Sequence, residues 1–91
     1  MSQFEIIETP LAGCFEIKPK IHKDNRGRFV KLFHSMDFSE LKLVDRFEEQ
    51  YYAVSNQGVL RGMHFQLPPF PQIKLVTCVS GALLDVVVDL R

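Results

Sequence analysis

The sequence lacks an excess of charge of either sign, a secretion signal and any apolar run long enough to cross a membrane. Eleven basic and eleven acidic side chains give a formal net charge of zero, so no overall field attracts nucleic acid or an anionic membrane. The most apolar stretch, residues 82–90, is interrupted by Asp85 and Asp89 and is too short for a transmembrane helix. The N-terminus has neither the basic nor the apolar segment of a signal peptide. These absences predict a cytoplasmic protein without a nucleic-acid or membrane partner.

Cysteine is also scarce. The chain has two cysteines, Cys14 and Cys78, and they lie far apart in the sequence. They fit neither a CxxC pattern nor a Cys/His set with metal-ligand spacing. The sequence therefore predicts two reduced, partly buried thiols, although it leaves a disulfide between them open.

Branched and aromatic residues, by contrast, are plentiful and fall into short runs between turn signals. The hydrophobic fraction of 46% is typical of a globular protein, and 91 residues allow one domain. Turns are predicted at 24–27, 55–58 and 80–81 because these segments contain Gly with Asn or Ser. One helix is predicted over 37–44, with Asp37 or Ser39 as its cap. The strands predicted from composition are 14–18, 29–33, 47–54, 59–66, 73–79 and 82–90.

This pattern predicts part of an antiparallel sandwich or barrel. A valine-rich strand that ends at Arg91 needs a neighbour, because an unpaired apolar edge promotes aggregation. Either further chain or a second copy is expected to cover it.

The strand predicted over 59–66 contains the chain's best candidates for chemistry. Strict alternation places Arg61 and His64 on opposite faces, but a bulge at Gly62 shifts the parity and lets them share one face. From spacing alone, a strand histidine is more often a hydrogen-bonded structural residue than a base. By the same standard Lys74 is a solvated charge.

Several spaced blocks, taken together, are more specific than any single residue. They are, in order, Asp24-x-Arg26-Gly27-x-Phe29, GVLRGMHFQ over 58–66, Lys74-Leu75-Val76, Gly81 and DVVVDLR over 85–91. This order resembles the dTDP-4-dehydrorhamnose 3,5-epimerase family of cupin-type enzymes. The resemblance implies a mainly β fold, an antiparallel jelly-roll (cupin) barrel that is incomplete in this chain and has one short helix. It further implies that residues 1–91 are the N-terminal part of a single domain, that the protein is a homodimer, and that it acts on a nucleotide-linked 4-keto-6-deoxy sugar.

The resemblance assigns the catalytic roles to His64 and Lys74. The protons at C3 and C5 of a 4-keto sugar are acidified by the carbonyl, and a neutral imidazole suits their removal near neutral pH. The family's lysine, matched by Lys74, stabilises the enolate oxygen. No cofactor is implied. No metal is expected either, because Gln66 stands where metal-binding cupins have the second His of His-x-His.

The substrate-binding roles are implied in the same way. Arg61 matches the residue that contacts the diphosphate, and Arg26 and Phe29 match the nucleotide-recognition segment. Gln50 adds a polar contact. Lys31 stands where the family usually has a Glu that accepts the N3–H of thymine; an ammonium instead suits the unprotonated N3 of cytosine. The sequence therefore leaves open a CDP-linked substrate, with Lys31 pointing to solvent as the plainer alternative.

The resemblance also implies that the family's acid tyrosine, its second active-site histidine and the aspartate orienting the base lie beyond Arg91. Tyr51 and Tyr52 do not match that tyrosine. Two other interpretations follow: a degenerate cupin that binds a nucleotide sugar without full catalysis, and a related isomerase that acts on the same keto sugar with a different order of proton transfers.

Overall fold

Two antiparallel hairpins and one short helix form the regular structure of residues 3–91, the part of the chain that a computed structural model describes. The elements are β1 (Phe4–Glu8), β2 (Phe15–Pro19), β3 (Ile21–Asp24), β4 (Gly27–Val30) and α1 (Ser35–Glu40). The prediction of a mainly β chain with antiparallel strands and one short helix is confirmed. The predicted strand 14–18 corresponds to β2, whereas β1 and β3 were not predicted.

The first hairpin joins β1 to β2 in a register that pairs Ile6 with Ile17. Its loop is closed by a side chain, since the Thr9 hydroxyl donates to the carbonyl of Cys14 at 2.6 Å and accepts from the backbone N–H of Leu11 at 3.2 Å. This threonine satisfies backbone groups that the ladder does not reach.

The second hairpin pairs His22 with Phe29 and Asp24 with Gly27. Its turn lies at Asn25 and Arg26, as the sequence predicts, and the backbone of Gly27 has φ of +134°. An L-residue with a side chain rarely adopts this conformation, so the turn requires glycine here. The predicted strand 29–33 is wrong in its bounds, because β4 ends at Val30.

The helix α1 begins earlier and ends earlier than predicted. His34 is the N-cap, and its Nδ1 accepts the backbone N–H of Asp37 at 3.3 Å. At the other end Lys42 has φ of +60°, and the N–H of Leu43 donates to the carbonyl of Phe38 at 2.9 Å. The left-handed conformation of Lys42 and the hydrogen bond from Leu43 to Phe38 form a Schellman motif, which ends the helix before Val44.

A cluster of phenylalanines packs the helix against β1. Phe38 is 1% exposed, and its ring lies edge-on to Phe4 at 5.0 Å between centroids and to Phe33 at 4.8 Å. Phe33 also contacts Phe47 at 5.4 Å. Edge-to-face packing is a favoured arrangement of aromatic rings. Phe4 and Phe38 are the buried hydrophobic side chains of the described residues.

The strands predicted over 47–54, 59–66, 73–79 and 82–90 do not form. Within the described chain, residues 41–91 contain no helix and no hydrogen-bonded strand. A strand exists only through a ladder with a neighbour, and these apolar segments have none, so no barrel is closed. The turn near Gly58 is confirmed, with the N–H of Val59 donating to the carbonyl of Asn56 at 3.2 Å. Both cysteines are free thiols, Cys14 half-buried and Cys78 exposed.

Candidate functional site

Three of the predicted binding residues belong to the β3–β4 hairpin or follow it directly. Arg26 lies in the turn, with 86% of its side chain exposed. Phe29 lies on β4, and its ring is 6.3 Å from the cross-strand ring of His22. Lys31 comes directly after β4 and is half-buried. The hairpin therefore holds the Arg26 guanidinium and the Phe29 ring close together in sequence, on one pair of hydrogen-bonded strands and its turn.

Arg26 is fixed by the aspartate that begins the turn. Asp24 Oδ1 accepts the backbone N–H of Arg26 at 2.8 Å, and Asp24 Oδ2 accepts from its Nε at 3.1 Å and Nη2 at 2.6 Å. The guanidinium of Arg26, more than any other group, lowers the pKa of Asp24 below its usual value of 3.8. The carboxylate is therefore ionised at neutral pH and paired with the arginine.

Arg61 and His64 lie on either side of Gly62 in an irregular segment. Arg61 Nε donates to the hydroxyl of Ser55 at 2.8 Å and its Nη2 to the carbonyl of Val54 at 3.4 Å. These bonds hold the segment against the preceding turn. Gly62 has φ of +106°, and a Cβ placed there would lie 3.4 Å from His64 Nδ1. The predicted bulge presupposes a ladder that this segment does not form, so the shared face of Arg61 and His64 stays a prediction.

His64, Lys74 and Gln50 are exposed. Their side chains make no hydrogen bond or ion pair with other parts of the described chain, residues 3–91. Each is accessible to a ligand, but the chain by itself does not orient them.

An open cleft of about 700 Å³ lies beside the segment that contains His64. Its walls are mostly apolar and come from three stretches of chain: 11–14, 65–68 and 87–91. None of the seven predicted site residues lines it, and none lines a smaller cleft beside β1 and β2. Five of the seven predicted residues thus form two local groups, and neither of these two clefts brings the seven together.

The described residues hold no group of three His, Cys, Asp or Glu side chains that could bind a metal ion. The same residues contain no helix that is long and apolar enough to span a membrane.

Comparison with known proteins identifies the relatives of this chain. The family model described as dTDP-4-dehydrorhamnose 3,5-epimerase matches residues 8–91. The chain belongs to this family. A dTDP-4-dehydrorhamnose 3,5-epimerase of Methanothermobacter thermautotrophicus is 43% identical over 100% of this chain and 49% of its own length. That of Shigella flexneri is 40% identical over 94% of this chain and 48% of its own length.

A third relative of this epimerase family has a narrower name. A dTDP-4-dehydrorhamnose 3-epimerase of Streptomyces niveus is 44% identical over 89% of this chain and 40% of its own length. The chain spans about half the length of the curated relatives that it matches. No solved structure gives a significant match.

The sequence interpretation of this epimerase-family chain missed a second aspartate–arginine pair. Asp89 Oδ1 accepts the backbone N–H of Arg91 at 2.9 Å and its Nε at 3.0 Å, and Oδ2 accepts from Nη2 at 2.9 Å. Arg91 lowers the pKa of Asp89 from 3.8 to about 2, mainly through these hydrogen bonds. The signal was present in the sequence, because Asp-x-Arg recurs with the spacing of Asp24 and Arg26.

Proposed function

We propose that this chain supplies the base and the nucleotide-binding groups of an epimerase for nucleotide-linked 4-keto-6-deoxy sugars. The enzyme inverts C3, C5 or both, and so serves deoxysugar and polysaccharide synthesis. The observation that carries the proposal is the family match over residues 8–91, together with a relative named as a 3,5-epimerase that aligns over the whole of this chain.

The proposed chemistry begins with His64. A neutral imidazole removes the proton from the carbon beside the C4 carbonyl, which leaves an enolate whose oxygen is negative. The imidazole is exposed and carries no competing ion pair among the described residues, so a ring nitrogen is free to accept the proton. Lys74 stabilises the enolate oxygen, a kind of contribution worth roughly 10²- to 10³-fold in rate per donor. Return of a proton to the opposite face inverts the carbon, and no metal or cofactor enters this scheme.

Four further residues are proposed to bind the substrate. Arg61 contacts the diphosphate, because a guanidinium matches two phosphate oxygens at once. Arg26 and Phe29 hold the nucleotide, and Gln50 adds a polar contact. Arg61 already donates to Ser55 and Val54 through Nε and one Nη2 donor, which leaves both Nη1 donors and the second Nη2 donor for a ligand.

We also propose the architecture in which these groups meet. Residues 1–91 form the N-terminal part of one jelly-roll (cupin) domain, and two copies form a cytoplasmic homodimer. Support comes from the apolar segments of 47–90, whose composition suits strands but whose side chains are exposed in the single chain. Ladder partners from a second sheet or a second copy are what these segments lack.

Proton exchange in D₂O tests the proposed function. The homodimer is incubated with the dTDP-4-keto-6-deoxy sugar, and deuterium at C3 and C5 is followed by NMR. Exchange at both carbons is expected for a 3,5-epimerase, and His64→Asn should abolish it because amide side chains do not act as bases near neutral pH. His34→Asn is the matched control, since asparagine is a favoured N-cap and helix α1 should persist. Exchange that survives His64→Asn would refute the assignment of the base.

Other patterns of exchange separate the alternatives. Exchange at one carbon indicates a 3-epimerase like the relative of Streptomyces niveus. Binding of the sugar nucleotide without exchange indicates the degenerate cupin.

Lys31 bears on the choice of nucleobase. The names of these relatives specify dTDP, and thymine is therefore the base proposed. The half-buried ammonium of Lys31 keeps a cytidine-linked substrate as the alternative, since it can donate to N3 of cytosine. Tighter binding of dTDP than of CDP in a calorimetric titration is the expected result, and the reverse order would favour the CDP-linked sugar.

A further inference from the structure

Two Asp-x-Arg segments in this chain adopt the same local structure. In each, the aspartate accepts the backbone N–H of the arginine two residues later and also holds the side of its guanidinium through Nε and Nη2. This is the arrangement of Asp24 with Arg26 and of Asp89 with Arg91. The two pairs differ in the hydrogen bonds that the remaining N–H donors of each guanidinium make.

Arg91 uses a further donor within the chain, because its Nη2 also donates to the carbonyl of Ala12. Arg26 has no second partner of this kind among residues 3–91. A guanidinium has five N–H donors in a planar fork. With Nε and one Nη2 donor of Arg26 taken by Asp24, three N–H donors remain, and two of them, one on Nη1 and one on Nη2, form the Nη1–Nη2 edge. That edge is free, and the side chain is 86% exposed.

The backbone beneath Arg26 is also fixed. The turn is closed by the pairing of Asp24 with Gly27, and the hairpin continues through His22 and Phe29. The carboxylate therefore links a defined backbone to a defined guanidinium. An arginine side chain without such a partner samples many rotamers, all but one of which it loses when it binds an anion.

We propose that Asp24 is a positioning residue, which holds Arg26 with its free Nη1–Nη2 edge toward a phosphate oxygen pair of the nucleoside diphosphate. The inference rests on the proposed function, in which Arg26 contacts the nucleotide. Asp24 itself does not touch the ligand. Its negative charge opposes the phosphate, but the repulsion between exposed charges is screened at physiological salt. Pre-orientation is therefore the larger effect, and removal of the carboxylate weakens binding.

Calorimetric titration with dTDP at physiological salt tests the sign of this effect. Asp24→Asn retains an oxygen for the backbone N–H of Arg26 and loses the charged contact to its guanidinium. The expected result is roughly 2- to 10-fold weaker binding, the range for immobilising one flexible side chain. Asp89→Asn is the matched control. It removes the same pair elsewhere and should leave dTDP affinity unchanged.

A double-mutant cycle shows whether Asp24 acts through Arg26. In an Arg26→Ala background, Asp24→Asn should weaken binding no further, because no guanidinium remains to be oriented. Arginine-selective NMR of the unliganded protein gives a second readout. The Nε–H signal of Arg26 should be protected in the unaltered chain and should lose that protection in Asp24→Asn.

The outcomes that would overturn the inference are distinct from those that would overturn the proposed function. Tighter binding by Asp24→Asn would show that Asp24 competes with the phosphate. Equal weakening with and without Arg26 would show a purely structural role, and no change in Asp24→Asn would show no role. Each of these three results would contradict the role of Asp24 alone. The proposed contact of Arg26 with the nucleotide would still stand, provided that Arg26→Ala weakens binding. No effect of Arg26→Ala, or no dTDP binding at all, would overturn that contact and this inference with it.

Discussion

Gly62 is constrained in two ways at the residue scale. Its φ of +106° lies in a region that residues with a side chain rarely adopt. In addition, His64 Nδ1 and the His64 backbone nitrogen lie 3.4 and 3.5 Å from the position of a Cβ. The glycine thus permits both the backbone path and the close approach of the proposed base.

Gly62→Ala is expected to lower the free energy of unfolding by about 1–3 kcal/mol, the cost of holding a residue with a side chain at such a φ. It should also change the surroundings of the imidazole, because the new methyl group lies in van der Waals contact with the ring. Chemical denaturation measures the first effect, and the NMR shifts of the His64 ring measure the second.

Gly58→Ala provides the comparison for this prediction. Gly58 also has a positive φ, +82°, but nothing lies within 4 Å of a Cβ there. It should lose stability in the same way and leave the His64 signals unchanged. Equal ring shifts in both variants would contradict a specific contact between Gly62 and His64.

At the scale of the elements, the turn of the second hairpin was predictable and the ends of the helix were not. Asn-Arg-Gly after Asp24 is a local turn signal, and it was sufficient. Helix α1 is capped by His34, a residue type not preferred at the N-cap. It ends at Glu40 and is followed by Lys42, which adopts the left-handed conformation usually taken by glycine. Both ends thus depend on unusual residues, and no common sequence signal marks them.

The link between the loop of the first hairpin and residue 91 is expected to depend on pH. Arg91 contacts the carbonyl of Ala12 while Asp89 holds its guanidinium. Arg91 lowers the pKa of Asp89 from 3.8 to about 2 in the folded chain. Because the folded pKa is the lower one, the stabilisation is complete above the unfolded pKa of 3.8 and is lost as pH falls to about 2.

NMR signals of Ala12 and Arg91, followed during acid titration, measure this loss. The contact between Arg91 and the Ala12 carbonyl should persist near pH 3.8 and disappear near pH 2. Asp89→Asn should remove the titration from these signals, whereas Asp24→Asn should leave it, since Asp24 pairs with a different arginine. If the transition remained in Asp89→Asn, a group other than Asp89 would be its cause.

At the scale of the whole molecule, the segments 47–54, 59–66, 73–79 and 82–90 show what sequence composition cannot supply. Their branched and aromatic residues indicate strand propensity, which reflects how well a side chain fits a paired, half-buried surface. A ladder partner is a non-local requirement, and the described chain offers none after β4. The candidate site shares this limit. Its residue types were recognisable by resemblance, but their assembly into one pocket depends on strands that need partners.

The resulting surface gives the last prediction. The accessible area is 8982 Å², whereas a compact monomer of this mass has about 5,400 Å². Much of the difference is apolar, with Leu60 92% and Leu84 90% exposed. Exposed apolar surface on this scale promotes association, so the isolated chain should form larger species as its concentration rises and should bind a hydrophobic dye. Leu84→Lys should reduce both the association and the dye binding. Glu49→Lys, a change at an exposed polar position, should reduce neither. Sedimentation velocity measures the first property, and a chain that stays monomeric without binding dye would contradict the expectation that a partner covers this surface.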